Sequence, residues 1–160
     1  MSRITYLKGD ATKPDYPGNK IIVHICNDIG AWGAGFVLAI SKRWKKPEED
    51  YKNLFNTKPH PKLGEIQFVQ TEKDIYVANL IGQRHIVADR EGRPPIRYEA
   101  VETGLEKLAQ FAKEISASVH MPRIGCGLAG GSWEKIEPFI KMQLTNNKID
   151  VFVYDYVPPK

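Results

Sequence analysis

The 160-residue chain holds only two cysteines, Cys26 and Cys126, and their spacing fits neither a zinc site nor a redox dithiol. A chain of this length buries about 70% of its unfolded surface, so it forms a core without disulfide or metal staples. No apolar run nears the ~18 residues that cross a bilayer, which excludes a membrane-spanning helix and predicts no membrane partner. The stretch from Met1 to Tyr6 lacks an apolar signal core and runs straight into a strand pattern. That predicts a cytoplasmic protein whose thiols stay reduced. Charge of one dominant sign is also missing: the net value is +4, and the lysines and arginines are scattered. Such a balance suits an anionic small ligand as well as nucleic acid. There is no G-x-x-x-x-G-K-[ST], which excludes a Walker-type NTPase, and the spacing of Gly30, Gly33 and Gly35 is not G-x-G-x-x-G. No cofactor and no metal ion is implied, and no residue pattern specifies an oligomeric state.

What is present is an alternation of strand and helix patterns. Residues 4–7, 20–26, 64–71, 75–80, 118–124 and 149–156 read as extended. The run from Ile21 to Ile25 is nearly all apolar, as in a strand covered on both faces. Helical stripes lie between: Phe36, Val37, Ile40 and Trp44; then Tyr51, Leu54 and Phe55 behind a first-turn Pro47; then residues 97–115 with Val101, Leu105, Leu108 and Ala112 on one face. Ser132 is placed to cap a last helix, which Pro138 should kink or restart. Residues 56–63 and 87–95 read as surface loops. The expectation is one domain over residues 1–160, a three-layer α/β/α sandwich with a mixed, largely parallel central sheet.

Two segments, residues 27–36 and 125–132, each follow a buried strand, are dense in glycine and open a helix. Glycine lets the backbone approach a ligand closely, and a helix N-terminus offers unpaired N–H groups to an anion. One such cluster is ordinary turn chemistry; two in a chain this small point to a diphosphate gripped from both sides at the carboxyl ends of strands.

Gly9-Asp10-Ala11-Thr12 after the first strand, His24-Ile25-Cys26-Asn27 ending the second, Gly30 to Phe36, and Met121-Pro122-Arg123-Ile124-Gly125-Cys126-Gly127-Leu128 followed by Trp133 together resemble the macrodomain family. The likeness spans essentially the whole chain. It is nearest to the branch of terminal ADP-ribose glycohydrolases and ADP-ribose-1''-phosphate phosphatases. The resemblance implies ADP-ribose or an ADP-ribosylated substrate as partner, and nucleic acid only if that is itself ADP-ribosylated. It implies that Asp10 accepts from the adenine amino group, with Ala11 beside it; taken alone, Asp10 reads as a turn residue. Gly33, Ala34, Gly35 and Phe36 would line one side of the diphosphate and distal ribose, and Ile124, Gly125, Cys126, Gly127, Leu128 and Ala129 the other.

Two departures bear on catalysis. The resembled glycohydrolases place a lysine and an aspartate where this chain has Gln83 and Ala129, and neither substitute can act as nucleophile or acid. Hydrolysis would then be lysine-independent, with Asn27, Gln83 and His85 as the candidate catalytic residues. Asn27 reads equally as an Asx-turn residue, and His85 as a loop histidine without a role. The alternative is a non-catalytic ADP-ribose reader. His24 and His120 lie within apolar strands and read as core residues, and Cys126 reads as a small wall residue. A nucleic-acid binder, suggested by the basic charge with Trp32 and Trp44, is the remaining class; Trp44 lies on an apolar stripe, which weakens it.

Overall fold

The computed structural model describes residues 3–157; the first two residues of the amino-terminal stretch and the last three of the chain lie outside it. The elements run β1 (Ile4–Lys8), β2 (Lys20–Asn27), α1 (Phe36–Arg43), α2 (Lys46–Asn53), β3 (Ile66–Glu72), β4 (Ile75–Gln83), α3 (Tyr98–Glu114), β5 (Ser118–Met121), α4 (Trp133–Gln143), a 3-10 turn at Thr145–Asn147, and β6 (Val151–Asp155). The sheet order is β1-β6-β5-β2-β4-β3, and every neighbouring pair is parallel except β3 with β4. The expected mixed, largely parallel sandwich is therefore the observed one.

Strand alternation divides two cores. Ile21 and Val23 of β2, with Ala78 and Leu80 of β4, face α3 and α4. Ile22 and Cys26, with Val77 and Ile81, face α1 and α2. α3 meets the first core through Val101, Leu105, Leu108 and Ala112, a four-three-four spacing that keeps them on one stripe. Leu105→Ala would leave a cavity there and cost about 2–5 kcal/mol.

Two expectations need correction. β5 stops at Met121 because Pro122 has no N–H for a ladder, so residues 122–124 already belong to the second glycine loop. α4 runs unbroken from Trp133 to Gln143 and does not restart at Pro138, whose exposed ring leaves only the Glu134 carbonyl without its helical donor. Trp44 is half-buried and packs against the second core, while its indole N–H donates to Glu72 and the Arg43 guanidinium lies 4.8 Å from its ring centroid. Trp32 is the buried tryptophan, 7% exposed, with its N–H donating to Ser41 at 2.7 Å. Neither indole is presented as a stacking platform.

His24 and His120 are core residues, as expected. His120 is held between the Ser118 hydroxyl and the Tyr154 hydroxyl, both at 2.8 Å. His24 Nε2 lies 2.6 Å from Asn79 Oδ1, and the Asn79 amide nitrogen donates to Pro47 O and Gln67 Oε1. The Asn79 oxygen is thus the acceptor, and Nε2 of His24 carries the hydrogen. Burial pushes His24 down to about 4 and His120 to about 3, so both are neutral imidazoles near pH 7.

Candidate ligand cleft

Three hollows join end to end across the carboxyl edge of the parallel strands, where open α/β sheets bind ligands. The first, about 380 Å³, lies beyond β1 and β6 and is walled by Gly9, Asp10, Ala11, Phe36, Tyr154 and Tyr156. The central one, also about 380 Å³, shares Gly35, Phe36 and Pro122 with it and adds Ile124, Gly125, Gly127, Leu128 and Ala129. The distal one, about 300 Å³, is walled by Asn27, Gly33, Ala34, Gln83, Ile86 and Leu128. Of the fifteen residues expected to line a ligand or do chemistry, thirteen, all but His85 and Cys126, wall these hollows, and what each contributes differs locally.

Asp10 turns one carboxylate oxygen back to its own loop, accepting from Thr12 N (2.8 Å) and Thr12 Oγ1 (2.7 Å). That Asx-turn fixes the carboxylate and leaves its other oxygen at the hollow. Tyr154 and Tyr156 give this end its aromatic walls. Sequence reading missed both, because nothing near them in the chain is glycine-rich; they reach Asp10 only because β6 pairs with β1.

The first loop is built around Asn27. Its Oδ1 accepts from Ile29 N (3.1 Å), Ala31 N (3.0 Å) and the Tyr51 hydroxyl (2.7 Å), while Nδ2 donates to Ala31 O (2.7 Å). Tyr51 is fully buried in α2 and also bonds Asn27 O. The loop then enters α1 through Gly35, whose φ of 83° and ψ of −148° suit glycine alone. α1 has no acidic residue in its first turn and carries Lys42 and Arg43 in its last, so the positive end of its dipole at the cleft is not neutralised by a side chain of its own first turn.

The second loop turns at Gly125, φ 73°, where a Cβ would stand 2.7 Å from Ile96 Cδ1. Gly131 N donates to Gly125 O at 2.7 Å, and Ala129 O accepts from Ile96 N at 3.0 Å. Ala129 is 5% exposed, with its carbonyl spent on this anchor. Leu128 projects from the loop, 69% exposed, and lies 3.2 Å from where a Cβ of Gly35 would stand. The two loops therefore meet across the cleft. Among the described residues, no group accepts from the N–H of residues 33–37 or 127–129, and residues 34–37 and 127–129 wall the same central hollow.

Two expected residues are not brought to the cleft walls. Cys126 packs against the core, its thiol pushed up by burial and 3.4 Å from Ile124 O. His85 lines none of the three hollows; it is exposed with φ 63°, its N–H donates to Asp28 Oδ1 (2.7 Å), and its carbonyl accepts from Gln83 Nε2 (2.9 Å). Asp28 is a further residue that sequence reading missed, clipping the first loop to the end of β4. Arg123 closes the floor of the central hollow, paired with Asp155 at 2.8 and 3.1 Å. Of the basic stretch 90–97, Arg93 and Arg97 are drawn to Asp89, and Arg97 also bonds the Pro94 carbonyl. Among the described residues no cluster of three or more His, Cys, Asp or Glu is gathered to hold a metal ion, and no helix is long and apolar enough to cross a membrane.

No family model matches the chain. Among solved structures it is similar to a protein of unknown function from Bacteroides thetaiotaomicron, with 54% identity and a TM-score of 0.95 over 98% of this chain and 99% of that one. It is also similar to a macrodomain protein from Streptomyces coelicolor, with 47% identity and a TM-score of 0.85 over 97% of this chain and 100% of that one. Among curated proteins, a chromodomain-helicase-DNA-binding protein 1-like of Danio rerio is 31% identical over 96% of this chain, which spans 16% of that relative's length. An ADP-ribose 1''-phosphate phosphatase of Lodderomyces elongisporus is 25% identical over 95% of this chain and 99% of its own. With its cleft between two glycine loops and a macrodomain relative matched from end to end, the chain belongs to the macrodomain family.

Proposed function

We propose that the cleft binds ADP-ribose and its derivatives and hydrolyses the bond at the terminal ribose without a lysine nucleophile. Adenine lies at the Asp10 end, the diphosphate between the loops, and the terminal ribose toward Gln83. The observation that carries this reading is that residues 34–37 and 127–129, whose N–H groups have no acceptor among the described residues, wall one central hollow. Fixed neutral donors and a helix N-terminus suit a diphosphate, which needs several hydrogen bonds at once. The phosphatase name of the yeast relative supports turnover of such a ligand.

Chemically, the attack on the terminal carbon or on its substituent falls to water. Gln83 donates through Nε2 to His85 O, which leaves its Oε1 able to accept from that water. A glutamine orients water without taking its proton, so the rate should be modest. A second reading, a reader that binds without turnover, is favoured by one observation: the only titratable side chain on the distal wall is the Cys26 thiol, held neutral by burial.

Calorimetry with ADP-ribose tests binding, with a Kd in roughly the micromolar range expected. Gly35→Ala should weaken it about tenfold or more, since a Cβ there strains φ and meets Leu128. Incubation with ADP-ribose-1''-phosphate, and with proteins and nucleic acids ADP-ribosylated through defined linkages, followed by mass analysis, tests turnover. Release of ADP-ribose from any of them supports hydrolysis. Binding with every substrate left intact supports the reader, and absence of binding sinks both.

A further inference from the structure

The cleft changes character along its length. Its centre is walled by Arg123 and by residues 34–37 and 127–129, whereas among the described residues no charged side chain lines the distal hollow. Those walls are Ile25, Ala31, Ala34, Val37, Ile86 and Leu128, with only the amides of Asn27 and Gln83 and the Cys26 thiol as polar groups. The amides are partly committed. Asn27 Oδ1 already takes the N–H groups of Ile29 and Ala31, the donors that a loop of this shape would otherwise turn toward an anion. Gln83 spends one of its two amide hydrogens on His85 O. What remains is the N–H of Gly33 and Ala34, one amide hydrogen each of Asn27 and Gln83, and the Gln83 oxygen, enough for the hydroxyls of a ribose. Among the described residues no cation lines this hollow, and Asp28, next to Asn27, accepts from the N–H of His85 beyond Gln83. At the mouth, Ile86 is 48% and Leu128 69% exposed, two apolar side chains jutting from opposite sides of the same opening.

We infer that the distal hollow selects an uncharged substituent with an apolar face on the terminal ribose and rejects a 1''-phosphomonoester. The inference rests on the ADP-ribose reading above and narrows it: of the two substrate classes named there, it retains the ADP-ribosyl group joined to an uncharged carrier. A phosphomonoester entering this end would lose its hydration without gaining a cation, the situation in which desolvation outweighs attraction. An apolar substituent would instead cover Ile86 and Leu128, which otherwise face water.

The test is a set of calorimetric titrations of the full chain with ADP-ribose, ADP-ribose-1''-phosphate and the 1''-O-benzyl glycoside of ADP-ribose. The expected result is a benzyl glycoside bound at least as tightly as ADP-ribose, and a 1''-phosphate bound at least about tenfold more weakly and not converted to ADP-ribose. Ile86→Lys, which places a cation at the mouth, should narrow the gap between ADP-ribose and its 1''-phosphate. A smaller gap than this in the unaltered protein, or release of ADP-ribose from the 1''-phosphate, overturns the inference while leaving the ADP-ribose reading intact. A benzyl glycoside bound more weakly than ADP-ribose overturns it as well. If ADP-ribose itself does not bind, the broader reading falls and takes the inference with it.

Discussion

Asn27 shows how much of a binding loop is held by one side chain. A residue whose type suggests contact with a ribose hydroxyl spends its carbonyl oxygen on three donors of its own protein, Ile29 N, Ala31 N and the Tyr51 hydroxyl. Asn27→Ala removes the shared acceptor and leaves a buried phenol with the main-chain carbonyl alone. The expected loss is about 2–3 kcal/mol in urea unfolding, with a parallel fall in ADP-ribose affinity. Tyr51→Phe deletes one donor and should cost about 1 kcal/mol. Equal losses in the two variants would contradict the arrangement. The Asx-turn role of Asn27 was legible in the sequence, because an asparagine ending a strand before Asp-Ile-Gly can close only a few local rings. Its partner Tyr51 was not, since 24 residues and a whole helix separate them.

At the scale of elements, periodicity disclosed most of what was there. The β2 run and the α3 stripe carry strong, unbroken patterns, and each lies within a residue or two of its expected bounds. The failures are where one local rule met a tertiary one. Pro138 should end or kink a helix by its own chemistry, but Ile136 and Ile140 on either side are fully buried, and their packing carries the turn across. Pro138→Ala, at an exposed position, restores a donor for the Glu134 carbonyl and should raise stability by about 1–3 kcal/mol. A thermal melt checks it; an unchanged or lowered Tm would mean the proline ring is itself used in packing. The two glycine loops were legible as a pair, because glycine density before a helix is a local signal. The aromatic walls from Tyr154 and Tyr156, and the Asp28 clip to His85, were not, since sheet order alone brings those segments together.

The molecule as a whole carries a pH dependence set by its two core histidines. Unfolded, each takes up a proton near 6.5; folded, burial holds them to about 4 and about 3. The unfolded chain therefore binds more protons between these values, so stability is full above about 6.5 and falls as the solution is acidified. Each histidine contributes up to about 1.4 kcal/mol per pH unit in that window. Urea unfolding between pH 7.5 and 4.5 should show a steady decline, and a flat profile there would mean that the imidazoles are protonated in the folded state. Leu128 lies close over Gly35, so on the proposed reading it bridges the two loops above the diphosphate. A guest beneath it arrives and departs only when that bridge opens, so its residence time follows the motion of one leucine more than the strength of the grip. Leu128→Ala keeps every backbone donor in place. Stopped-flow mixing with ADP-ribose should then show association and dissociation both faster by similar factors, with the equilibrium constant moving by less than about threefold. Unchanged rates would mean that Leu128 is no latch.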